Sequence, residues 1–339
     1  MSSLQRVCVP RLAAAAASVL LAAACGGIGQ TVSPSSAPGA APAYSTNPNV
    51  SQCGKADRII TDANNFVTTI RGVPQRIVTV ELSFADDVSL LSVSPVGIGD
   101  DNDPNLVIPQ IRSRIGPYTS LGTRESPNFA VIAGLKPDLI IADQIGNRKI
   151  IDQLRTVAPT LTLQSQHTTY SQNIDTALTI GVALNQCVRM QKVLADHDAT
   201  MATIKAKVPA GEHRSFVFAL SSDKTFTVFN SQQYTGTVLE QLGLKAVATD
   251  PSLFPAGDAS GVTLETLVQL DPDLIFYANV LDTPTGLFDT WQRTQLFEAS
   301  KAAKTHGAHR EGQKPWSLTR GITGSEVIAA QAVHDLYGK

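Results

Sequence analysis

The chain has 339 residues, 43% of them hydrophobic, which is enough for two domains with buried cores. Its formal net charge is −2 at pH 7, so the composition gives no support for a nucleic-acid partner or for binding a membrane surface through charge. Aromatic residues make up only 6% of the chain, so each tryptophan and tyrosine is worth locating.

The N-terminus predicts a lipoprotein signal peptide over residues 1–24. Arg6 and Arg11 give its positive region, and the Ala-rich apolar stretch that follows is too short for a permanent membrane span. Cys25 comes directly after small residues, as in bacterial lipoproteins, where that cysteine carries the lipid. We therefore expect a lipid anchor on the outer face of the cell membrane. Ordinary secretion with cleavage after an alanine is the alternative.

Residues 25–52 predict a disordered tether, because they are rich in Ser, Pro, Ala, Gly and Thr and hold almost no large apolar side chain. Cys53 and Cys187 are the cysteines that remain beyond it. Outside the cytoplasm an isolated pair of this kind is typical of a disulfide. The alternative is that Cys187 is a small core residue of a helix.

Residues 53–168 predict a first α/β lobe. Apolar runs at 77–80 and 96–99 are typical of inner strands, and residues 83–91 predict a helix with Ser83 as its N-cap. An acidic polar loop follows at 100–104. Residues 130–142 then combine a helix end, a Pro-Asp turn and a continuous apolar run. That run is typical of a strand buried on both faces of a parallel sheet.

Residues 169–209 predict one long connecting helix. From Tyr170 to Lys207 there is no proline and a single glycine, and apolar residues recur every three or four positions. His197 lies on this apolar face, so we expect it in the core. A helix of this length would reach about 55 Å, enough to bridge two lobes.

Residues 210–339 predict a second α/β lobe. Strands are expected over 215–220 and 225–229, and helices over 235–242 and 324–336. Residues 264–278 repeat the helix end, Pro-Asp turn and apolar run of the first lobe. One copy would be ordinary in any α/β protein. Two copies predict an α/β fold of two similar lobes with mainly parallel sheets, joined by the long helix, with a ligand cleft between them.

Motifs for catalysis or metal binding are missing from the sequence. It has no Gly-x-Ser-x-Gly elbow, phosphate-binding loop, His-Glu-x-x-His site or dinucleotide fingerprint, and its 6 histidines lack ligand spacing. Arginines instead follow or adjoin the expected strand ends, namely Arg112, Arg124, Arg148 and Arg320. The planar guanidinium suits anionic, carboxylate-rich ligands, although each arginine taken singly could equally lie on the solvated surface.

Several longer motifs resemble the siderophore-binding family of solute-binding proteins from iron-uptake ABC transporters, and within it the ferric dicitrate binders. They are Val80-Glu81-Leu82-Ser83-Phe84-Ala85-Asp86, Gly99-Asp100-Asp101-Asn102-Asp103, Leu121-Gly122-Thr123-Arg124, residues 135–143, Tyr234-Thr235-Gly236, and Trp316 with Arg320-Gly321. The resemblance covers most of residues 70–339 and is densest from 74 to 143. It implies the class III periplasmic-binding-protein architecture.

The resemblance also implies a monomeric protein without enzymatic activity that binds Fe(III) already held by citrate or a related anionic siderophore. The ligand would pass to a membrane permease driven by an ATPase. No cofactor is implied, and no protein ligand to the metal, because the chelator coordinates the iron. The residues expected to bind the chelate are Glu81, Arg112, Arg124, Arg148, Tyr170, Tyr234, Trp316 and Arg320.

Two positions depart from the family pattern. In relatives a glutamate at the start of the first repeat is thought to dock onto the permease, but here Ala130 occupies that place. We therefore expect docking through Glu265 of the second lobe, with Glu125 as a substitute in the first. Position 234 is a tyrosine where the citrate binders carry tryptophan.

Other functions stay open on the same fold. The ligand could be haem, cobalamin or a hydroxamate siderophore, although sparse aromatics and the lack of a histidine in an expected cleft loop disfavour haem. Ala130 leaves room for a surface or sensor protein that has kept the fold and lost transport. An extracellular hydrolase has the least support.

Overall fold

The computed structural model describes residues 47–250, 254 and 258–338. The predicted signal peptide, Cys25 and the first part of the predicted tether lie outside these residues. Within the described ranges, none of the helices combines the length and hydrophobicity that a membrane span requires.

The strands of the described residues form a hairpin and two larger sheets. They are β1 (Asp57–Thr61), β2 (Val67–Arg71), β3 (Ile77–Thr79), β4 (Gly97–Ile98), β5 (Thr119–Ser120), β6 (Leu139–Asp143), β7 (Thr160–Leu163), β8 (Ser215–Ser221), β9 (Phe226–Phe229), β10 (Lys245–Ala246), β11 (Asp258–Ala259), β12 (Leu274–Asn279) and β13 (Ala308–Glu311).

Helices cover the faces of the two larger sheets. They are α1 (Leu82–Leu90), α2 (Pro109–Arg112), α3 (Phe129–Gly134), α4 (Ile151–Arg155), α5 (Tyr170–Ala183), α6 (Cys187–Lys205), α7 (Tyr234–Gln241), α8 (Leu264–Leu270), α9 (Leu287–Trp291), α10 (Gln295–Glu298), α11 (Lys301–Lys304) and α12 (Ile322–Tyr337). A 3-10 helix covers Pro48–Gln52, and a π-helical turn covers Lys314–Leu318.

The N-terminal lobe is built on a parallel sheet with the strand order β5-β4-β3-β6-β7. Successive side chains of its strands alternate between two buried apolar clusters. Ile77 and Ile141 belong to one cluster, and Val78 and Ile140 belong to the other. Both faces of the sheet are therefore covered, as the continuous apolar runs in the sequence predict.

The C-terminal lobe is built on a mixed sheet with the order β11-β9-β8-β12-β13, and β10 also pairs with β8. The pairings of β8 with β10 and β12, and of β12 with β13, are parallel, whereas β9 runs antiparallel to β8. Only residues 222–225 separate β8 from β9. A connection this short can make a hairpin but not a parallel crossover, so this lobe is less parallel than the N-terminal one.

The repeated Pro-Asp turn has the same structural role in both lobes. Asp138 accepts hydrogen bonds from the backbone N–H groups of Gln75 and Arg76, at 2.7 and 2.8 Å, just before β3. Asp273 accepts from the backbone N–H and the hydroxyl of Ser215, at 2.8 and 2.7 Å, at the start of β8. Asp138 therefore holds the beginning of β3, which pairs with the fully buried strand β6, and Asp273 holds the beginning of β8, which pairs with the fully buried strand β12.

Two helices, α5 and α6, replace the single helix expected over 169–209. The chain turns at Asn185, whose φ of 55° lies in the left-handed region that asparagine tolerates. Gly181 then lies against Met190, and a Cβ at position 181 would come within 2.7 Å of the Met190 Cβ. The apolar periodicity runs through this turn because both helices bury one face, so the sequence pattern hides the break.

Helix α6 retains the bridging role that the sequence suggested. Met190 and Leu194 in its first half belong to the core of the N-terminal lobe, and Met201 and Ile204 in its second half belong to the core of the C-terminal lobe. Its 19 residues span about 28 Å at 1.5 Å per residue. His197 is 2% exposed, as expected for a core residue.

The disulfide predicted between Cys53 and Cys187 is present, with a Cα–Cα distance of 5.9 Å.

Residues 47–52, expected in the tether, pack against the N-terminal lobe instead. The Asn47 amide donates to the Thr179 hydroxyl at 3.0 Å, and the Asn49 amide donates to the Thr61 carbonyl at 3.1 Å. Polar side chains hold this segment in place. Its low apolar content therefore did not reveal that it is part of the folded lobe. The lobe boundaries at 168 and 210 stay predictions.

Candidate functional site

A cleft of about 240 Å³ lies between the two lobes. The N-terminal lobe contributes Arg124, Gln166 and His167 to its lining. The C-terminal lobe contributes Phe218, Phe229, Gln233, Tyr234, Thr235, Asp258, Ser317, Leu318 and Arg320. This cavity therefore lies between the lobes, where the sequence predicted a ligand cleft.

Glu81 lies behind the cleft and joins side chains of both lobes. It is the N-cap of α1, two residues after the end of β3, and its side chain is 1% exposed. Its Oε2 accepts from an Nη of Arg124 at 3.2 Å and from an Nη of Arg320 at 3.2 Å. Its Oε1 accepts from the Gln166 amide at 2.8 Å. One buried carboxylate thus fixes the two arginines of the cleft.

The expectation that Ser83 caps α1 is wrong. The helix begins one residue earlier, with Glu81 at the N-cap, and neither residue gives a side-chain cap. The Ser83 hydroxyl instead pairs with the Ser165 hydroxyl at 2.7 Å. Since that contact lies across 82 positions in the sequence, local capping preferences could not show it.

Arg124 is held from two further directions. Its Nε and an Nη donate to Asp101 Oδ2 at 2.9 and 2.7 Å, and its carbonyl accepts from the Asn147 amide at 2.6 Å. Burial alone would lower the pKa of Arg124, but Glu81 and Asp101 outweigh it and raise that pKa above its ordinary value. Three of the five guanidinium N–H groups serve these contacts, which leaves two for a ligand.

Arg320 belongs to the C-terminal lobe and is held by contacts from both lobes. Its Nε donates to the Ser165 hydroxyl at 3.3 Å, and one Nη donates to the Ser317 carbonyl. The next residue, Gly321, accepts a hydrogen bond on its carbonyl from the Tyr234 hydroxyl. A Cβ at position 321 would come within 2.5 Å of Asp86 Oδ2, so only glycine fits here.

Asp86 holds the beginning of α12 across the lobes. Its carboxylate accepts from the Thr323 backbone N–H at 2.8 Å, from the Thr323 hydroxyl at 2.6 Å and from Arg114 at 2.6 Å. A carboxylate at a helix N-terminus is favoured by the unpaired N–H groups and the helix dipole. This contact places Arg320, two residues before the helix begins, at the cleft.

The loop after β7 forms the floor of the cleft on the N-terminal side. Asp143 accepts backbone N–H bonds from Gly146, Ser165 and Gln166 at 2.6, 2.8 and 3.0 Å. Burial and the neighbouring Glu81 raise the pKa of Asp143. The loop is therefore fastened through its backbone while Gln166 and His167 present their side chains to the cleft.

An aromatic wall stands on the C-terminal side. Phe218 and Phe229 line the cleft, with ring centroids 5.3 Å apart. The predicted ligand residue Trp316 lies behind them instead. It is fully buried, stacks on Phe276 at 5.1 Å, and donates its indole N–H to Gln331 at 2.7 Å. Tyr234 lines the cleft but is 3% exposed, and its hydroxyl is used by Gly321.

Three other predicted ligand residues lie outside the cleft lining. Arg112 is exposed and donates to the carbonyls of Pro104 and Val107, so it braces its own loop. Arg148 is exposed in the turn after β6. Tyr170 lies at the start of α5, where its hydroxyl is 2.6 Å from His197 Nε2 beside a separate cavity.

The predicted docking residues lie on the surface. Glu265 is exposed in the first turn of α8, where its own backbone N–H and the Thr263 hydroxyl lower its pKa. Glu125 is exposed in the loop after Arg124, and Ala130 is exposed in the first turn of α3. Neither glutamate lines the cleft.

Sequence reasoning missed several cleft residues, of which His167 matters most. The argument that no histidine lies in a cleft loop is wrong, because His167 lines the cavity. Gln166 and His167 follow β7, a parallel strand, and the rule that ligands lie beyond such strand ends could have found them. Asp258 offered no signal, because it follows a segment without a strong pattern. Within the described ranges, no group of three or more His, Cys, Asp or Glu side chains could hold a metal ion.

Comparisons with known proteins show the family of this chain. The family model described as periplasmic binding protein matches residues 77–307. The Fe(3+)-citrate-binding protein YfmC of Bacillus subtilis is 35% identical, over 84% of this chain and 88% of its own. The Fe(3+) dicitrate-binding periplasmic protein FecB of Escherichia coli is 34% identical, over 78% of this chain and 86% of its own.

The fold is shared with a solved siderophore complex. The structure of Staphylococcus aureus SirA with staphyloferrin B aligns with a TM-score of 0.68, covering 83% of this chain and 97% of that one, at 22% identity. At this identity the likeness concerns the fold. It confirms the predicted α/β architecture.

Proposed function

The chain belongs to the periplasmic binding protein family, and we propose that it binds Fe(III)-citrate or a related anionic ferric siderophore for an ABC transporter. The observation that carries this proposal is the pair Arg124 and Arg320. They reach from different lobes to one buried carboxylate and retain free N–H groups at the cleft. A ligand with several carboxylates could bond to both lobes at once.

The chemistry of the cleft suits an anion whose metal is already coordinated. Guanidinium groups make parallel hydrogen bonds to carboxylate oxygens, and these are stronger than bonds between neutral groups. A chelator that surrounds Fe(III) needs no His, Cys or carboxylate cluster from the protein, and the proposal requires none. In the aromatic wall Phe229 is partly exposed and offers an apolar surface for the carbon skeleton of the chelator, whereas Phe218 is buried.

The relatives support this choice of ligand. Two of them are named for Fe(3+)-citrate or Fe(3+) dicitrate binding, and they match most of this chain at 34–35% identity. A further relative, YfiY of Bacillus subtilis, is named as a probable siderophore-binding lipoprotein. We infer a substrate-binding component without enzymatic activity and without a cofactor, located outside the cytoplasm.

We further propose that the protein is anchored through Cys25 and delivers its ligand to a permease with an associated ATPase. Glu265 and Glu125 are the proposed docking side chains, and both are exposed. Because Ala130 takes the place of a docking glutamate, docking through the N-terminal lobe would depend on Glu125. We expect the protein to act as a monomer.

A thermal-shift titration of the full chain tests the ligand. Fe(III)-citrate, iron-free citrate, haemin and a ferric hydroxamate are compared at equal concentrations. A ligand at a hundredfold excess over its Kd stabilises the folded state by about 2.7 kcal/mol. We expect this stabilisation with Fe(III)-citrate alone.

Other outcomes redirect the proposal. A shift confined to the hydroxamate, or a Soret band that develops with haemin, would keep the fold and replace the ligand. No shift with any of the four would favour a surface or sensor protein that does not transport iron.

A further inference from the structure

His167 is the histidine among the residues that line the cleft, and histidine is the side chain whose unperturbed charge changes between pH 5 and 8. It follows β7 on the loop that Asp143 fastens through the backbone N–H groups of Ser165 and Gln166. Within this loop Ser165 and Thr168 are buried, and the Thr168 hydroxyl donates to the Ser165 carbonyl at 2.8 Å. His167 is exposed and lines the cavity.

The backbone at His167 shows that this placement is imposed by the loop. Its φ is 52°, in the left-handed region that few residues other than glycine adopt, although histidine and asparagine do so more often than most. Strained conformations of this kind persist where the surroundings fix them, and they cluster at ligand sites. The loop therefore sets the backbone position from which the imidazole reaches the cleft lining.

We propose that His167 contacts the bound anionic chelate alongside Arg124 and Arg320, and that its protonation makes binding tighter at acidic pH. This inference rests on the proposed function of the cleft. It adds a residue that sets affinity and a pH dependence that two arginines cannot supply, because guanidinium groups stay charged throughout the physiological range.

The charges around His167 define the direction of the effect. Arg124 and Arg320 line the same cavity and disfavour a third positive charge, whereas Asp258 on β11 favours it. Tyr234 also lines the cavity, and Glu81 and Asp143 lie behind the loop. A bound polycarboxylate adds negative charge next to the imidazole. Binding should therefore take up a proton, and affinity should rise as the pH falls from 8 to 5.5.

Titration calorimetry on the full chain tests this, with Fe(III)-citrate at pH 5.5 and at pH 8. The variant is His167→Asn, because asparagine tolerates the left-handed conformation and carries no charge. The control is His213→Asn, since His213 is exposed and is not among the residues that line the cleft. Each variant is compared with the unmodified protein in the same ligand solution, so that changes in the citrate complex with pH cancel.

We expect His167→Asn to raise the Kd about tenfold at pH 5.5 and about twofold at pH 8, as for the loss of a charged and of a neutral hydrogen bond. The proton uptake on binding, read from the dependence of the heat on the buffer, should disappear in this variant. His213→Asn should bind like the unmodified protein at both values.

Two results would overturn the inference in distinguishable ways. If the unmodified protein binds Fe(III)-citrate, and the effect of His167→Asn on the Kd is equal at both pH values, the imidazole does not sense pH and this inference fails alone. If the unmodified protein does not bind Fe(III)-citrate at either pH, the proposed function fails and the inference fails with it.

Discussion

The N-terminal and C-terminal lobes are built around the same helix, Pro-Asp turn and buried strand, yet they bring different side chains to the cleft. In the N-terminal lobe, Glu81, Asp101 and Arg124 form a network of ion pairs at the ends of parallel strands. In the C-terminal lobe, Phe218 and Phe229 form an aromatic wall.

The difference follows from the sheets. In the five-stranded sheet of the N-terminal lobe every pairing is parallel, so several strand ends and their polar loops meet at one edge. In the C-terminal lobe the hairpin of β8 and β9 brings strand residues themselves to the cleft. The repeat thus duplicates the scaffold, and the strand direction decides what each lobe offers a ligand. Arg320 is the cation that the C-terminal lobe contributes to the cleft lining.

The largest predicted effect is a loss of stability in the N-terminal lobe when the disulfide is removed. The disulfide joins Cys53 to Cys187, which both pack against the core of the N-terminal lobe. Replacing both cysteines by serine should lower the free energy of unfolding by about 2–4 kcal/mol, since the cross-link closes a long loop. Thermal unfolding with and without a reductant measures this loss.

Hydrogen exchange gives the location of that effect. We expect faster exchange in β1, β2 and α5, with β8 and β12 little changed. If hydrogen exchange became equally faster in the strands of both lobes, the lobes would unfold as one unit, and the disulfide would not stabilise the N-terminal lobe selectively.

The second prediction compares the two arginines. Arg124→Ala and Arg320→Ala should each weaken the binding of Fe(III)-citrate by about 1.5–3 kcal/mol, the contribution of a charge-assisted hydrogen bond. Calorimetric titration measures both variants, with Arg148→Ala as the control because Arg148 is exposed and lies outside the cleft lining. An unchanged Kd for either cleft variant would remove that lobe from ligand recognition.

The third prediction is a pH dependence that belongs to the C-terminal lobe. Burial and the nearby Asp335 raise the pKa of Glu311 to about 9. The folded state therefore binds a proton that the unfolded state has released, and stability falls as the pH rises from about 4.5 toward 9. Glu311→Gln should remove this loss and stabilise the protein by on the order of 2 kcal/mol at pH 8.

Denaturant unfolding at pH 5 and pH 8 measures this difference. At pH 5 the variant and the unmodified protein should differ little. The prediction would be contradicted if the unmodified protein were as stable at pH 8 as at pH 5, and the Glu311→Gln variant likewise.

The smallest effect tests whether the repeated aspartates are equivalent. Asp273→Ala should cost about 1–2 kcal/mol of stability and Asp138→Ala about 1 kcal/mol, since each removes two hydrogen bonds and Asp138 is the more exposed. The Ser215 hydroxyl and N–H lower the pKa of Asp273, so its contribution is present above the ordinary pKa of an aspartate and is lost as the pH falls through the lowered value.

Urea unfolding of both variants at pH 7 and pH 3 measures this comparison. The gap between Asp273→Ala and the unmodified protein should narrow at pH 3. A gap that widens there would show that the carboxylate is not the group that holds β8.

Much of the scaffold could be predicted from local pattern. The apolar runs at β6 and β12 lack alternation because both faces are buried, and the Pro-Asp turn before each ends a helix by its own chemistry. The break at Asn185 escaped prediction because α5 and α6 bury faces that continue one periodicity. The segment 47–52 escaped because polar side chains hold it in place.

The site was predictable only in part. Arg124 and Arg320 follow or adjoin expected strand ends and also lie in the motifs of the family resemblance, as Glu81 does. Arg112 and Arg148 also follow or adjoin expected strand ends, yet they lie outside the cleft lining, as do Tyr170 and Trp316. Trp316 is buried behind the wall, and Arg112 braces its own loop. His167 was overlooked because its neighbours along the chain carry no motif, although its place after the parallel strand β7 was a usable signal.

The sequence by itself determined the two α/β units, the cysteine pair and the supply of arginines at strand ends, because these depend on periodicity, turn chemistry and composition. The tertiary structure decided which charges meet. Glu81 binds Arg320 across 239 positions, and Asp86 holds Thr323 across 237. Contacts at such separations depend on how the two lobes pack through α6 and α12, and no local pattern in the chain encodes that packing.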